Sequence, residues 1–169
     1  LCLLCVAVST QALQVSAAGK TGWVKKTYYY QKGKKVKNKL KKIKKELYYF
    51  DKKGKALKNK WKVVGKYKYY FGKSGKAVKG IVVITKKYDS RFYVFNSKGR
   101  LDKTKTKKIQ SAAKYQKDFT QLKKLIGNPQ KATYTASCMG AGQDGILEYQ
   151  GFIVFTYLEN GKEIFMGVE

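Results

Sequence analysis

The sequence has no histidine, one proline, three cysteines and ten acidic residues in a chain of 169. Each shortage closes off a class of function. Without histidine there can be no Ser-His-Asp triad, no Cys-His nucleophile pair and none of the usual mixed zinc sites. Cys2 and Cys5 fall in an N-terminal stretch that reads as a cleaved leader, which leaves Cys138 with no partner for an internal disulfide. An exported chain without disulfides fits a bacterial extracellular setting, while pairing of Cys138 between chains is left open by the sequence. The few acids are set against 38 Lys/Arg, a formal net charge of +28. Such a charge repels itself in a compact chain and draws polyanions.

The charge is unevenly placed. Residues 20–108 contain 32 basic and 4 acidic residues, whereas residues 109–169 contain 6 of each. A basic module is therefore followed by a neutral one. Ahead of both stands "LCLLCVAVSTQALQVSAAGK", in which residues 1–8 are apolar and Val15-Ser16-Ala17 fits the small-x-small cleavage pattern. Residues 1–18 are expected to be a signal peptide lacking its initiating Met and basic segment, cut near Ala17 or Ala18. The run is shorter than the about 20 apolar residues that span a bilayer. Leu4 precedes Cys5 where lipoprotein processing needs a small residue, so secretion is the expectation.

The basic half repeats. Gly33, Gly54, Gly75 and Gly99 are spaced 21, 21 and 24 residues apart. An aromatic patch precedes each: Tyr28-Tyr29-Tyr30, Tyr48-Tyr49-Phe50, Tyr69-Tyr70-Phe71 and Tyr93-Val94-Phe95. A basic residue follows each, and Val36, Leu57 and Val78 stand three places after the first three glycines. Within one unit Trp61 and Val63, then Tyr67, Tyr69 and Phe71, fall on alternate positions around Gly65, which predicts a β-hairpin turning at that glycine. A hairpin of this size cannot bury its own apolar face, so neighbours must cover it. The predicted fold of residues 19–103 is an all-β hairpin-repeat solenoid with a core of stacked aromatics. One unit has a rival reading: Val36, Leu40, Ile43 and Leu47 lie on one face of a cationic amphipathic helix, as in a membrane-active peptide. The equivalent residues 57–71 carry Trp61, Val63, Val64 and Gly65, which favour strand, and the repeat relation transfers strand to residues 36–50.

These "YYF-x-x-x-G-K-A-x" units, with Gly22-Trp23 ahead of the first, resemble the cell-wall-binding (choline-binding-type) repeats of Gram-positive surface proteins over about residues 20–103. The resemblance implies hairpins that tether a secreted protein to the envelope. In that family choline sits in a cage of Trp and Tyr rings, because a quaternary ammonium binds over aromatic faces. Only Gly22-Trp23 is kept here. The later Gly-Trp positions hold Asn38-Lys39, Asn59-Lys60 (with Trp61 displaced by one) and Gly80-Ile81. The Trp ahead of the Tyr-Tyr pair becomes Thr27, Leu47, Lys68 and Phe92.

A lysine at a cage position repels a cationic ligand, so choline is not the expected one. Charge takes over: the expected partner is an anionic wall polymer of the teichoic-acid kind, or an anionic lipid surface. The expected contact residues are Trp23, Lys39, Lys60, Trp61, Lys68, Tyr69 and Lys79. Binding of this kind is additive and salt-sensitive. The plainer alternative is that the lysines keep an aromatic-rich array soluble and guard its edges, although solubility needs a net charge of only about 2–8. Nucleic acid is not expected as a natural partner of an exported chain, and no cofactor or metal is expected.

In the neutral half, residues 104–110 read as a polar linker to a small α+β domain, residues 111–169. "SAAKYQKDFTQLKKLIG" places Phe119, Leu122, Leu125 and Ile126 at helical spacing, and Gly127-Asn128-Pro129 ends it. Strands are predicted at about 131–138, 146–158 and 162–168, the last two joined by Asn160-Gly161, a type I′ hairpin signal. One helix would then cross a three-stranded antiparallel sheet. This α-β-β-β order, with "LKKLIGNPQKA" between helix and strand, is similar to small domains of the BamE and β-lactamase-inhibitor-protein type. That similarity implies a non-catalytic, protein-contacting domain. The loop "SCMGAGQDG" is no P-loop, since no GKS or GKT follows. Cys138 is expected in a buried strand, and Asp144 and Glu148 as lone acids.

No catalytic constellation is present. The expectation is a secreted, non-catalytic envelope-binding protein. Two alternatives stand beside it: an extracellular inhibitor or ligand-sensing protein whose residues 111–169 carry the function, and a cationic membrane-active protein.

Overall fold

A computed structural model describes residues 19–169, so the expected leader, with Cys2 and Cys5, lies outside the described residues. The chain divides into two compact units, one running to Lys39 and including Phe50–Ala56, the other made of Leu40–Tyr49 and Leu57–Glu169.

In the first unit, β1 (Gly22–Val24), β2 (Tyr28–Gln31) and β3 (Lys34–Lys35) form an antiparallel sheet. Trp23 stands opposite Tyr29, and their rings meet at 5.5 Å. Phe50 is fully buried and packs against both, 5.6 Å from Trp23 and 6.4 Å from Tyr29. The turn that follows Phe50 is built by Asp51, whose Oδ1 accepts from the amides of Lys53 and Lys55 at 2.9 and 2.8 Å. Gly54 closes it at φ +80°, and a Cβ there would stand 3.1 Å from the Val36 carbonyl oxygen. That combination explains why a glycine recurs. Beyond the turn the Ala56 amide donates to the Thr27 carbonyl at 2.9 Å.

The second unit continues the pattern. β4 (Lys39–Ile43) and β5 (Glu46–Phe50), whose end residues belong to the first unit, form one hairpin. β6 (Lys60–Val64) with β7 (Tyr67–Phe71), and β8 (Gly80–Lys86) with β9 (Asp89–Phe95), form two more. Gly65 makes the expected turn at φ +56°. Residues 36–50 are extended where described as regular, not helical, as the repeat relation required. Gly75 and Gly99 both have positive φ, at +81° and +72°. After each, the chain bonds back to an earlier hairpin: Ala77 N–H to the Leu47 carbonyl and Leu101 N–H to the Lys68 carbonyl, both at 2.8 Å. Tyr49, Tyr69, Phe71 and Ala77 are buried together, with Leu40, Leu47 and Leu57 packed on them. The aromatic core read from the sequence is thus present among these hairpins.

The last third departs from expectation. Residues 104–110 are not a linker but the body of α1 (Lys103–Ala112). Asp102 caps it, accepting from the Lys105 amide at 2.9 Å. The helix is seated on β9: Thr106 Oγ1 accepts from the Val94 amide at 2.9 Å, and Gln110 Nε2 donates to the Phe92 carbonyl at 2.7 Å. The helix expected over residues 111–126 is confined to α2 (Thr120–Ile126). Residues 116–119 spend their backbone groups elsewhere. Gln116 and Phe119 amides donate to the Phe165 and Glu163 carbonyls, and the Phe165 amide donates to Lys117.

Four strands follow, not three: β10 (Lys131–Ala136), β11 (Gln143–Tyr149), β12 (Phe152–Glu159) and β13 (Lys162–Val168), antiparallel in that order. The segment 146–158 is broken by a turn at Gln150-Gly151, where Gly151 has φ +94°. Asn160-Gly161 makes the expected type I′ turn, both residues having positive φ. Two helices and four strands do not match the α-β-β-β order on which the similarity to BamE-type domains rested. Phe92 of β9 shares one core with Ile109, Phe119, Leu122, Leu147 and Val154. Cys138 is exposed, in the segment between β10 and β11, not in a buried strand.

Candidate functional site

Lysines and aromatics are interleaved along β6 and β7, where Lys60 stands opposite Phe71 and Lys62 opposite Tyr69. The long lysine side chains also fold back over the rings. Lys35 Nζ lies 4.5 Å from the Tyr28 ring centroid, and Lys62 Nζ lies 4.7 Å from that of Tyr49. Their aliphatic stems cover apolar surface while the charge stays in water.

In the second unit a ring cluster is centred on Trp61. It stands opposite Tyr70 across the β6–β7 ladder, with ring centroids 5.2 Å apart. Tyr93 and Phe95 of β9 meet it at 5.0 and 5.7 Å. Burial pushes the Tyr70 phenol up from its ordinary range. Lys68 Nζ lies 4.6 Å from the Trp61 ring centroid. The protein's own ammonium thus occupies an aromatic face that would otherwise attract a cationic ligand. Beside the cluster is a groove of about 210 Å³ where Lys86, Arg91 and Asp89 gather, Arg91 Nε pairing with Asp89 Oδ2 at 2.8 Å. An aromatic platform with a mainly cationic rim suits a ligand that is part apolar and part anionic.

The residues singled out from the sequence do not converge on one site. Trp23 packs with Tyr29 and Phe50 in the first unit, while Lys39 is exposed at the start of β4. Lys60 is exposed and stands opposite Phe71. Trp61 and Lys68 are in contact. Tyr69 is only 3% exposed and belongs to the core, so it can offer a ligand no more than an edge. Lys79 is exposed and pairs with Glu46 Oε2 at 3.4 Å, beside Lys76 on Oε1 at 3.3 Å. The hydrogen bond from Lys76, followed by that from Lys79, outweighs desolvation and holds the Glu46 carboxyl below its usual range. Sequence reasoning missed Glu46, whose partners lie 30 and 33 residues away. It also missed the rings beneath Lys35 and Lys62. Asp144 and Glu148 do not pair with each other; Glu148 pairs with Lys131 at 3.4 Å.

No protein-family model matches the chain, and no curated protein matches its sequence. Among solved structures it is similar to the modular Cpl-1 endolysin complexed with a peptidoglycan analogue. The identity is 18% over 87% of this chain and 37% of that one, with a TM-score of 0.42. The same endolysin, from phage Cp-1 and described as a pneumococcal cell wall endolysin, has also been solved with choline. Choline binding protein F from Streptococcus pneumoniae is 17% identical over 86% of this chain and 51% of its own, with a TM-score of 0.38. Truncated alternansucrase from Leuconostoc mesenteroides is 18% identical over 70% of this chain and 8% of its own, also at 0.38. The chain therefore spans well under half the length of the endolysin that it matches.

Proposed function

We propose that this is a secreted, non-catalytic protein of a Gram-positive envelope that holds an anionic wall polymer, of the teichoic-acid kind, through its lysine-covered hairpins. One observation carries the reading: residues 20–108 hold 32 basic residues against 4 acids, and all four acids are already engaged within the chain, Asp51 by the Lys53 and Lys55 amides. Glu46 is held by two lysines, Asp89 by Arg91, and Asp102 caps a helix. The charge left over is far beyond what solubility needs. Residues 111–169 present a small protein- or ligand-binding domain on this reading.

The test is retention of the full chain on purified Gram-positive walls across a salt series. Retention should weaken steeply with salt, as for any multi-phosphate contact. Retention that ignores salt, or none at all, overturns the proposal. Walls stripped of their phosphate polymer should retain little of the protein.

A further inference from the structure

Two of the repeats treat the cation after the turn glycine differently. Lys76 follows Gly75 and is neutralised by Glu46 at 3.3 Å. Arg100 follows Gly99, and the residue one repeat beyond Glu46 is Tyr67, not an acid. The Arg100 guanidinium lies over that ring, its carbon 3.6 Å from the centroid. Among the described residues the Arg100 Nε is buried and has no hydrogen-bond partner. A buried donor left unmatched is uncommon and marks a place where an acceptor is wanted.

Arg100 lines a cleft of about 290 Å³ that crosses three consecutive hairpins. Lys42, Lys45, Lys79 and Lys98 stand around it, and the Ser97 residue adds a hydroxyl. Leu40, Leu47 and Tyr69, members of the apolar cluster, make its floor. Glu46 is shared between Lys76 and Lys79, and among the described residues no ion pair engages Lys42, Lys45, Lys98 or Arg100.

We propose that this cleft is a phosphodiester site, in which Arg100 and the surrounding lysines take one phosphate of an anionic polymer while the apolar floor takes the carbon backbone beside it. The inference rests on the wall-polymer reading and gives it a location. A guanidinium fork matches the oxygens of phosphate, and contact with the Tyr67 ring holds it in place. A carboxylate offers two oxygens in one plane, whereas a phosphodiester can also accept from lysines on other sides. A slender, flexible chain can reach a recessed guanidinium; the headgroup plane of a bilayer cannot.

The test uses the wild-type chain first. It has two arginines, Arg91 and Arg100, hence two Nε–H signals in a ¹⁵N spectrum. Arg91 Nε is held by Asp89 Oδ1 at 3.0 Å. Dimethyl phosphate should move the Arg100 signal and leave that of Arg91, and acetate at the same concentration should move neither. In a second arm, poly(glycerol phosphate) and phosphatidylglycerol vesicles are titrated against wild type, Arg100→Gln and Lys53→Gln. Arg100→Gln should weaken polymer binding about tenfold, and Lys53→Gln, the same charge removed outside the cleft, less than about twofold.

An Arg100 signal that ignores dimethyl phosphate, or answers acetate equally, overturns the site whether or not the chain still binds walls. Equal losses in the two variants overturn it too. Dependence on Arg100 for vesicles but not for soluble polymer overturns the polymer assignment. A responding Arg100 signal in a chain that fails on walls supports the site and overturns the wall reading alone. The wild-type arm needs no variant to fold.

Discussion

Lys68 lies over the indole of Trp61, its Nζ 4.6 Å from the ring centroid. The ring face that could receive a quaternary ammonium is therefore already answered from within the chain. Two predictions about this contact separate an occupied aromatic face from an absent one.

Lys68→Ala should remove a cation–π contact and cost about 0.5–1 kcal/mol of stability, read by chemical denaturation. The same variant should let choline perturb the indole N–H signal of Trp61, while the wild-type signal stays in place. Choline sensitivity in the wild type would show that Lys68 does not close the face.

Phe71 is fully buried and lies 6.3 Å from the rings of both Tyr49 and Tyr69. Phe71→Ala should cost about 3–5 kcal/mol, the range for truncating a buried aromatic. Val63→Ala on a neighbouring strand, where the side chain is 59% exposed, should change stability by less than about 0.5 kcal/mol. Comparable losses at the two positions would mean that the hairpins are not packed face to core as described.

Glu163 Oε1 accepts from Tyr134 at 2.9 Å and from buried Thr156 at 2.7 Å. Burial first, then this bond, pushes the Tyr134 phenol up to about 12, and burial does the same for Tyr149. Both phenols hold their protons more tightly folded than unfolded. The stability they contribute is complete below pH 10.0 and is lost as the pH rises through about 12. Absorbance titration should show two tyrosines ionising with this late transition. Glu163→Ala, which leaves the Thr156 hydroxyl without its acceptor, should cost about 1–3 kcal/mol at neutral pH.

On the acid side, Glu46 is held below its ordinary 4.5 by Lys76 and Lys79. Its contribution is present above that value and lost as the pH falls through the lowered one. The pair is largely exposed, so Glu46→Gln should cost less than about 1 kcal/mol at neutral pH. The difference from wild type should vanish in acid. A difference that persists there would assign the loss to packing, not charge.

What the sequence made legible was whatever it said more than once. Four glycines at near-constant spacing, each preceded by aromatics, located the turns, the strands and the inward rings, because each unit checked the others. Features stated once were harder. The α1 stripe is Thr106, Ile109 and Ala112, and its first member is polar: it is buried because its hydroxyl bonds Val94, so no apolar period is visible. The Gln150-Gly151 turn lies inside an apolar run that resumes at once, which made two strands read as one. Residues 113–118 continue a helical pattern, but the adjoining backbone is committed to β13. Arg100 and Tyr67 are distant in sequence and meet only through the fold.

The bonds from Ala56, Ala77 and Leu101 to the carbonyls of Thr27, Leu47 and Lys68 run from main chain to main chain. The three accepting residues are a hydroxyl, a branched alkane and an amine, and the joint is the same at each. Side-chain identity there is decoupled from assembly. A residue at such a joint can change without disturbing how the units are joined, and Lys68 stands at one of the three.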